Sequence, residues 1–249
     1  MSRLTGKVAI VTGASKGIGA GIAEALGAEG AAVVVNYASS RDGADRVVAS
    51  IQSKGGKAVA VQADVAKPSE VRRLFEASRR AFGSLDILVN NAGIYQFAPL
   101  ENVTENEFHR QFDTNVLGTI LTLQESLNHF GSTGGSVINV SSVASQSATP
   151  NTVVYSATKA AVDSITRTLS HELSARHIRV NTLAPGATET EGLHSAGIKG
   201  SDFEKQMVSL TPLGRLGQPE DIARVAVFLA SDESSWLTGE RISASGGWH

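Results

Sequence analysis

The chain has 249 residues, 41% of them hydrophobic and 18% charged, and a formal net charge of −2. Those proportions suit a folded globular chain rather than a disordered one, and the absence of any basic run argues against nucleic acid and anionic membrane surfaces as partners. There is no cysteine, which excludes disulfides, thiolate catalysis and cysteine-ligated metals; no apolar run approaches membrane-spanning length.

In chain order, valine-rich runs alternate with helix-like segments. The first strand is expected over residues 7–11, close enough to the start that no leader is expected and cytoplasm is the expected location. Residues 17–28 read as a helix, 31–35 as a second buried strand, and 44–51 as a helix with Val47, Val48 and Ile51 on one face. A strand over 57–62 precedes a helix opened by Pro68 and carrying Val71, Leu74, Phe75 and Phe82 on one side. Further strands are expected over 85–89, 136–140, 178–183 and 241–244. Pro219 opens a later helix. Residues 189–210 are polar, irregular and glycine-containing, and are expected to form a mobile loop. This alternation predicts one α/β domain over 1–249, a doubly wound parallel sheet of about seven strands with helices on both faces.

Two local patterns carry chemistry. Thr12-Gly13-Ala14-Ser15-Lys16-Gly17-Ile18-Gly19 joins the first strand to the first helix. Glycines there let the backbone approach a pyrophosphate, and a helix N-terminus offers unpaired N–H groups to the anion; alone, the pattern would also fit a tight connection. Tyr155 and Lys159 are spaced i and i+4 and share one helical face. A phenol ionises near pH ~10, and an ammonium beside it would lower that value and ready it for proton transfer. Most such pairs are surface pairs, but Ser141-Ser142 at the end of the fifth expected strand supplies a hydroxyl donor as well.

Taken together, Thr-Gly-x-x-x-Gly-x-Gly, Asn90-Asn91-Ala92-Gly93, Asn115, Ser142, Tyr155-x-x-x-Lys159 and Pro185-Gly186 resemble the short-chain dehydrogenase/reductase family over essentially the whole chain. The resemblance implies a Rossmann-type fold, a hydride exchanged between a nicotinamide dinucleotide and a carbonyl/alcohol pair, and a catalytic tetrad. Tyr155 would be the general acid/base and Ser142, thirteen residues earlier, the donor to the substrate oxygen. Lys159 would lower the Tyr155 pKa and hold the nicotinamide ribose; Asn115 would hold a water linking Lys159 to solvent. The dinucleotide would lie along Gly13, Ser15, Lys16, Gly17, Ile18 and Gly19, then Asn36, Tyr37, Ala38, Ser39 and Ser40. It would continue past Asp64 and Val65 at the adenine, and Asn91, Ala92 and Gly93 at the ribose. Tyr155 and Lys159 would follow, then Pro185, Gly186, Thr188 and Thr190 around the nicotinamide and phosphates. No carboxylate ends the second strand, where Asn36 stands, and Lys16 and Arg41 lie nearby. This resembles members that prefer NADP(H), since an acid there would repel the 2′-phosphate.

The family resemblance also implies a homotetramer, built from paired long helices expected over 102–130 and 151–176 and from the C-terminal strand. Its Asp-Gly-Gly near the C-terminus is Ser245-Gly246-Gly247 here, followed by Trp248-His249, a departure expected to affect packing or subunit contact. The six histidines, at 109, 129, 171, 177, 194 and 249, have no metal-ligand spacing, and no metal is expected. Substrate contacts are expected from 94–97, 143–154 and 189–210, which are moderately apolar. A neutral ketone of small or medium size is the favoured substrate for a carbonyl reductase. A 3-oxoacyl-carrier-protein reductase and a sugar-alcohol dehydrogenase are the alternatives; a non-catalytic NADPH-binding regulator is the distant one. An acidic carrier protein would want a basic face, and Lys159 is the sole Lys or Arg between Arg110 and Arg167, leaving Arg176 and Arg179 as candidates.

Overall fold

The computed structural model describes residues 2–195 and 199–248, with His194 and Ser195 described by their backbone. Residues 196–198 of the expected loop, the His194 side chain and His249 lie outside the described residues.

The β-branched runs form seven strands: β1 Val8–Val11, β2 Ala32–Tyr37, β3 Lys57–Gln62, β4 Ile87–Asn90, β5 Gly135–Val140, β6 Ile178–Pro185 and β7 Arg241–Ala244. They make one sheet in the order β3-β2-β1-β4-β5-β6-β7, every adjacent pair parallel. Side chains alternate between the two faces, so each strand feeds two cores. Ala9, Val11, Val33, Val35, Ile87, Val89 and Ile138 face one core; Ile10, Val34, Leu88 and Val137 face the other. That double burial is why these strands read as continuous apolar runs.

The first core is closed by α1 (Gly17–Ala28), α2 (Arg41–Ser53) and α9 (Pro219–Ala230), through residues such as Ile22, Leu26, Val47, Ile51, Ile222 and Val227. The second is closed by α3 (Pro68–Phe82), with Val71, Leu74 and Phe75, and by residues of two later helices, α5 (Gly118–Ser126) and α6 (Val153–Glu172). α5 follows α4 (Glu105–Phe112). The seven-stranded doubly wound architecture expected from the alternation is therefore the one observed.

Two expectations are corrected. The helix expected over 102–130 is broken into a 3₁₀ turn at Leu100–Asn102, α4, a wide π turn at Asp113–Leu117, and α5. Such a turn adds a residue to the helical ladder and re-aims side chains, and it is common at functional sites; Asn115 sits in it. The stretch 189–210 is not irregular throughout: it carries α7 (Glu191–Ser195) and α8 (Asp202–Ser209). α8 starts on a side-chain cap, Ser201 Oγ accepting the Glu204 N–H at 3.3 Å, and buries Met207. Ser201-x-x-Glu204 is a helix-start signal that the polar composition hid.

Chain order reverses between β1 and β4, which are neighbours in the sheet. In an open parallel sheet the carboxyl ends of the strands at such a point diverge and leave a crevice.

Candidate active site

A cleft of about 730 Å³ opens there, lined from the carboxyl ends of the central strands and from α7, α8 and the C-terminal residues. Its first wall is the glycine turn. Gly13 has φ +60°, and a Cβ on it would stand 2.8 Å from Ala92 Cα, so the turn and the Asn91-Ala92 segment can meet this closely only without a side chain. α1 begins at Gly17 without a side-chain cap, Lys16 being extended at φ −163°. Its first N–H groups therefore look outward; that of Gly17 donates to Glu191 Oε2 at 3.0 Å. Ser15, Lys16, Gly17, Ile18 and Gly19 all line the cleft.

Asn36 is a brace as well as a lining residue. It is buried; its Oδ1 accepts the Gly13 N–H at 3.1 Å, and its Nδ2 donates to the carbonyls of Val61 (3.2 Å) and Ala63 (3.0 Å). The amide thus ties the glycine turn to β3 instead of pointing at a ligand. Tyr37 does not reach the cleft: its side chain packs in the core, facing away from the lining that Ala38, Ser39 and Ser40 provide. The strand's alternation sends Tyr37 inward. Asp64 and Val65 line the far end, the Asp64 carboxylate accepting the Ala66 N–H at 3.0 Å and lying 3.6 Å from Lys67 Nζ. Asn91 Nδ2 donates to the carbonyls of Thr12 and Gly13 at 2.9 and 3.0 Å, while Ala92 and Gly93 line the cleft beside it. Pro185, Gly186, Thr188 and Thr190 line the opposite rim; Thr190 lies close against Gly17.

At the centre the four tetrad residues converge. Ser142 follows β5; its hydroxyl accepts the Ala144 N–H at 3.1 Å and lines the cleft beside the Tyr155 phenol, whose pKa it lowers. Ser141 is the neighbour that turns away, its hydroxyl donating to the Lys159 carbonyl at 3.1 Å. Tyr155 and Lys159 lie one turn apart on α6, with Lys159 Nζ 5.7 Å from the Tyr155 ring centre and donating to the Val140 carbonyl at 2.9 Å. Asn115 is buried in the π turn. Its Oδ1 accepts the Ile94 N–H at 2.8 Å, and its Nδ2 donates to the Ile94 carbonyl (2.8 Å) and Thr158 Oγ1 (3.0 Å). It clamps the loop after β4 to α6. A Cβ on Gly93 would stand 3.4 Å from both Asn115 Oδ1 and Lys159 Nζ.

The electrostatics differ from the sequence expectation. Burial pushes the Tyr155 phenol up to about 12, the Ser142 hydrogen bond acting against that shift and the nearby Tyr95 adding to it. The Lys159 ammonium is lowered to about 8 by burial, with Asp163 opposing. Lys159 does not bring the phenol below its ordinary value here, because its ammonium is bonded to the Val140 carbonyl and the phenol is desolvated.

Sequence reasoning missed two contributors. Arg241, on β7, reaches Asp163 Oδ2 (3.1 Å), the Ser142 carbonyl (3.1 Å), Ser145 Oγ (3.2 Å) and Ser243 Oγ (2.8 Å). A lone cation within a short buried-edge strand was the available signal. Trp248 lines the cleft, as do Leu193, Phe203 and Met207 from α7 and α8; the departure at the C-terminus therefore reaches the site. No described helix is long and apolar enough to cross a membrane, and among the described residues no group of three or more His, Cys, Asp or Glu could hold a metal ion.

A family model described as enoyl-(acyl carrier protein) reductase matches residues 13–249. The chain is 58% identical to an uncharacterized oxidoreductase of Methylorubrum extorquens, covering 99% of each. It is 42% identical to versicolorin reductase stcU of Emericella nidulans, covering 98% of this chain and 96% of that one. Among solved structures, the angucycline C-6 ketoreductase LanV with bound NADP superposes with a TM-score of 0.93 at 40% identity, over 99% of this chain and 96% of that one.

Proposed function

Given that the chain belongs to the short-chain dehydrogenase/reductase family, we propose that it is an NADP(H)-dependent ketoreductase, reducing a neutral ketone to a secondary alcohol. The observation that carries this is that Ser142, Tyr155 and Lys159 line one cleft, with Lys159 Nζ 5.7 Å from the Tyr155 ring centre.

The cleft fits a dinucleotide on this structure's own terms: a glycine turn with no room for a Cβ at Gly13, an uncapped α1 N-terminus, and no carboxylate over positions 36–40. Gly13 to Gly19 would hold the phosphates; Lys16, Ser39 and Ser40 would take the 2′-phosphate; Lys159 and the segments at 91–93 and 185–190 would hold the ribose and nicotinamide. When bound, the cofactor supplies the hydride. Ser142 aims a hydroxyl at the place where negative charge develops on the carbonyl oxygen. Tyr155 is protonated at neutral pH, its pKa being about 12, so it is ready to give its proton to that oxygen. The relatives named above as reductases support ketone as the acceptor. Arg176 and Arg179 do not favour a carrier-protein reading. Arg176 donates to the Leu127 carbonyl at 2.6 Å and Arg179 to the Leu229 carbonyl at 2.9 Å, so both lean on backbone rather than stand clear.

The test is NADPH oxidation with a panel of ketones, a ketoester, an acetoacetyl-carrier protein and an enoyl thioester. Ketone-dependent oxidation, lowered about 10²–10⁴-fold by Tyr155→Phe with NADPH binding retained, is the expected result. Full turnover by Tyr155→Phe, or turnover confined to the enoyl thioester, overturns the reading.

A further inference from the structure

We propose that the ketone this cleft selects is carried on a flat, fused aromatic ring system, recognised by Tyr95 and Phe97; this rests on the ketoreductase reading above. The two rings follow β4 and stack with centres 5.1 Å apart and planes 26° from parallel. Tyr95 is 44% and Phe97 42% exposed, so the pair keeps ring surface open to the cleft. Both rings are turned edge-on to Tyr155, at 68° and 65°, with centres 6.0 Å from it.

Aromatic rings prefer offset-stacked or edge-to-face neighbours. A flat ligand continuing the pile begun by Tyr95 and Phe97 therefore lies parallel to them and edge-on to Tyr155. A carbonyl in the plane of such a ligand, on its rim, then points towards the phenol and the Ser142 hydroxyl. A puckered saturated ring of the same outline has no flat face for the pile. Phe203, Met207 and Trp248 also line the cleft, and a thioether beside an aromatic face is a favourable contact.

Charge points the same way. Arg110 lines the cleft but is forked on Glu107, with both contacts at 2.7 Å, and Lys159 is buried against Val140. A substrate carboxylate or phosphate gains no unengaged cation from either, whereas a neutral polycyclic ketone needs none.

The experiment compares β-tetralone with trans-β-decalone, which share a bicyclic outline and an unconjugated carbonyl but differ in one aromatic ring. The wild type is expected to show kcat/KM about tenfold higher for the tetralone, mostly through KM. Tyr95→Leu/Phe97→Leu keeps apolar bulk and removes the flat faces, and the ratio should fall below about twofold. Phe97→Trp keeps a flat face and should keep the preference, which guards against a general loss of fold in the double variant. A wild-type ratio near one, or a ratio unchanged in the double variant that still binds NADPH, overturns the proposal. Reduction of an aliphatic ketoester but of neither bicyclic ketone also overturns it, while leaving the ketoreductase reading standing. No oxidation of NADPH by any carbonyl compound removes that underlying reading and this one with it.

Discussion

Lys159 and Tyr155 are held in opposite directions by the same burial. The lysine is lowered to about 8 and the phenol raised to about 12, because desolvation disfavours whichever form is charged. The signs give a pH dependence. Lys159 is cationic below pH about 8, so kcat/KM for ketone reduction should be flat near neutrality and fall as pH rises through that value. Alcohol oxidation needs the phenolate together with the same Lys159 cation, so it should rise with pH up to about 8 and level off above it. Initial rates in both directions across pH check this; parallel slopes would refute it. The side chains that set these values could be named in advance from their spacing, but the sign for Tyr155 could not. It depends on Tyr95, on the Val140 carbonyl that takes the ammonium, and on enclosure, none of which a Tyr-x-x-x-Lys interval encodes. Lys16 poses a simpler question. It is exposed at the mouth of the glycine turn, and Lys16→Ala should weaken NADPH binding about tenfold with little change for NADH. Titration of both dinucleotides decides it.

Among the elements, the π turn and β7 do more for the site than their lengths suggest. The turn at Asp113–Leu117 directs the Asn115 amide at both backbone groups of Ile94. The family resemblance implies an unbroken helix there; the extra residue of the turn shows only in three dimensions. β7 is four residues long, yet its Arg241 joins Asp163 on α6 to the Ser142 carbonyl. Asp163 is 5% exposed by its side chain, and its Oδ1 has no hydrogen-bond partner. Removing the arginine leaves a buried, uncompensated carboxylate, so Arg241→Met should cost about 3 kcal/mol, read from urea unfolding. Arg241→Met/Asp163→Leu should recover most of that stability. Its kcat should still be about tenfold low, since the Ser142 carbonyl has lost one of its two hydrogen bonds, keeping only that from the Ser145 N–H. A double variant with full kcat would assign Arg241 to stability alone.

At the scale of the molecule, the sheet and its helices could be read almost entirely from the sequence. Strands buried on both faces are continuous apolar runs, and prolines mark two helix starts at positions 68 and 219. The cleft was legible on the side the glycine turn builds. It was less so on the substrate side, where Leu193, Phe203 and Met207 lie on short helices and Trp248 at the end of the chain. There, tertiary contact rather than periodicity decides position.

The strand order also has a consequence for how the protein is made. β2 pairs with β1 and β3 with β2; β4 then takes the other edge of β1, and β5, β6 and β7 follow outward in turn. Each strand joins an edge that is still open when it leaves the ribosome, and none has to be inserted between two already paired. The dinucleotide half of the crevice can therefore take shape early, in a process that runs from the N-terminus. The Arg241 contact to the Ser142 carbonyl comes last, with β7. A chain released before residue 241 would carry the glycine turn together with Asn115, Ser142, Tyr155 and Lys159, yet lack the Arg241 link between the Ser142 carbonyl and Asp163, so this wall of the cleft is braced only once synthesis nears its end.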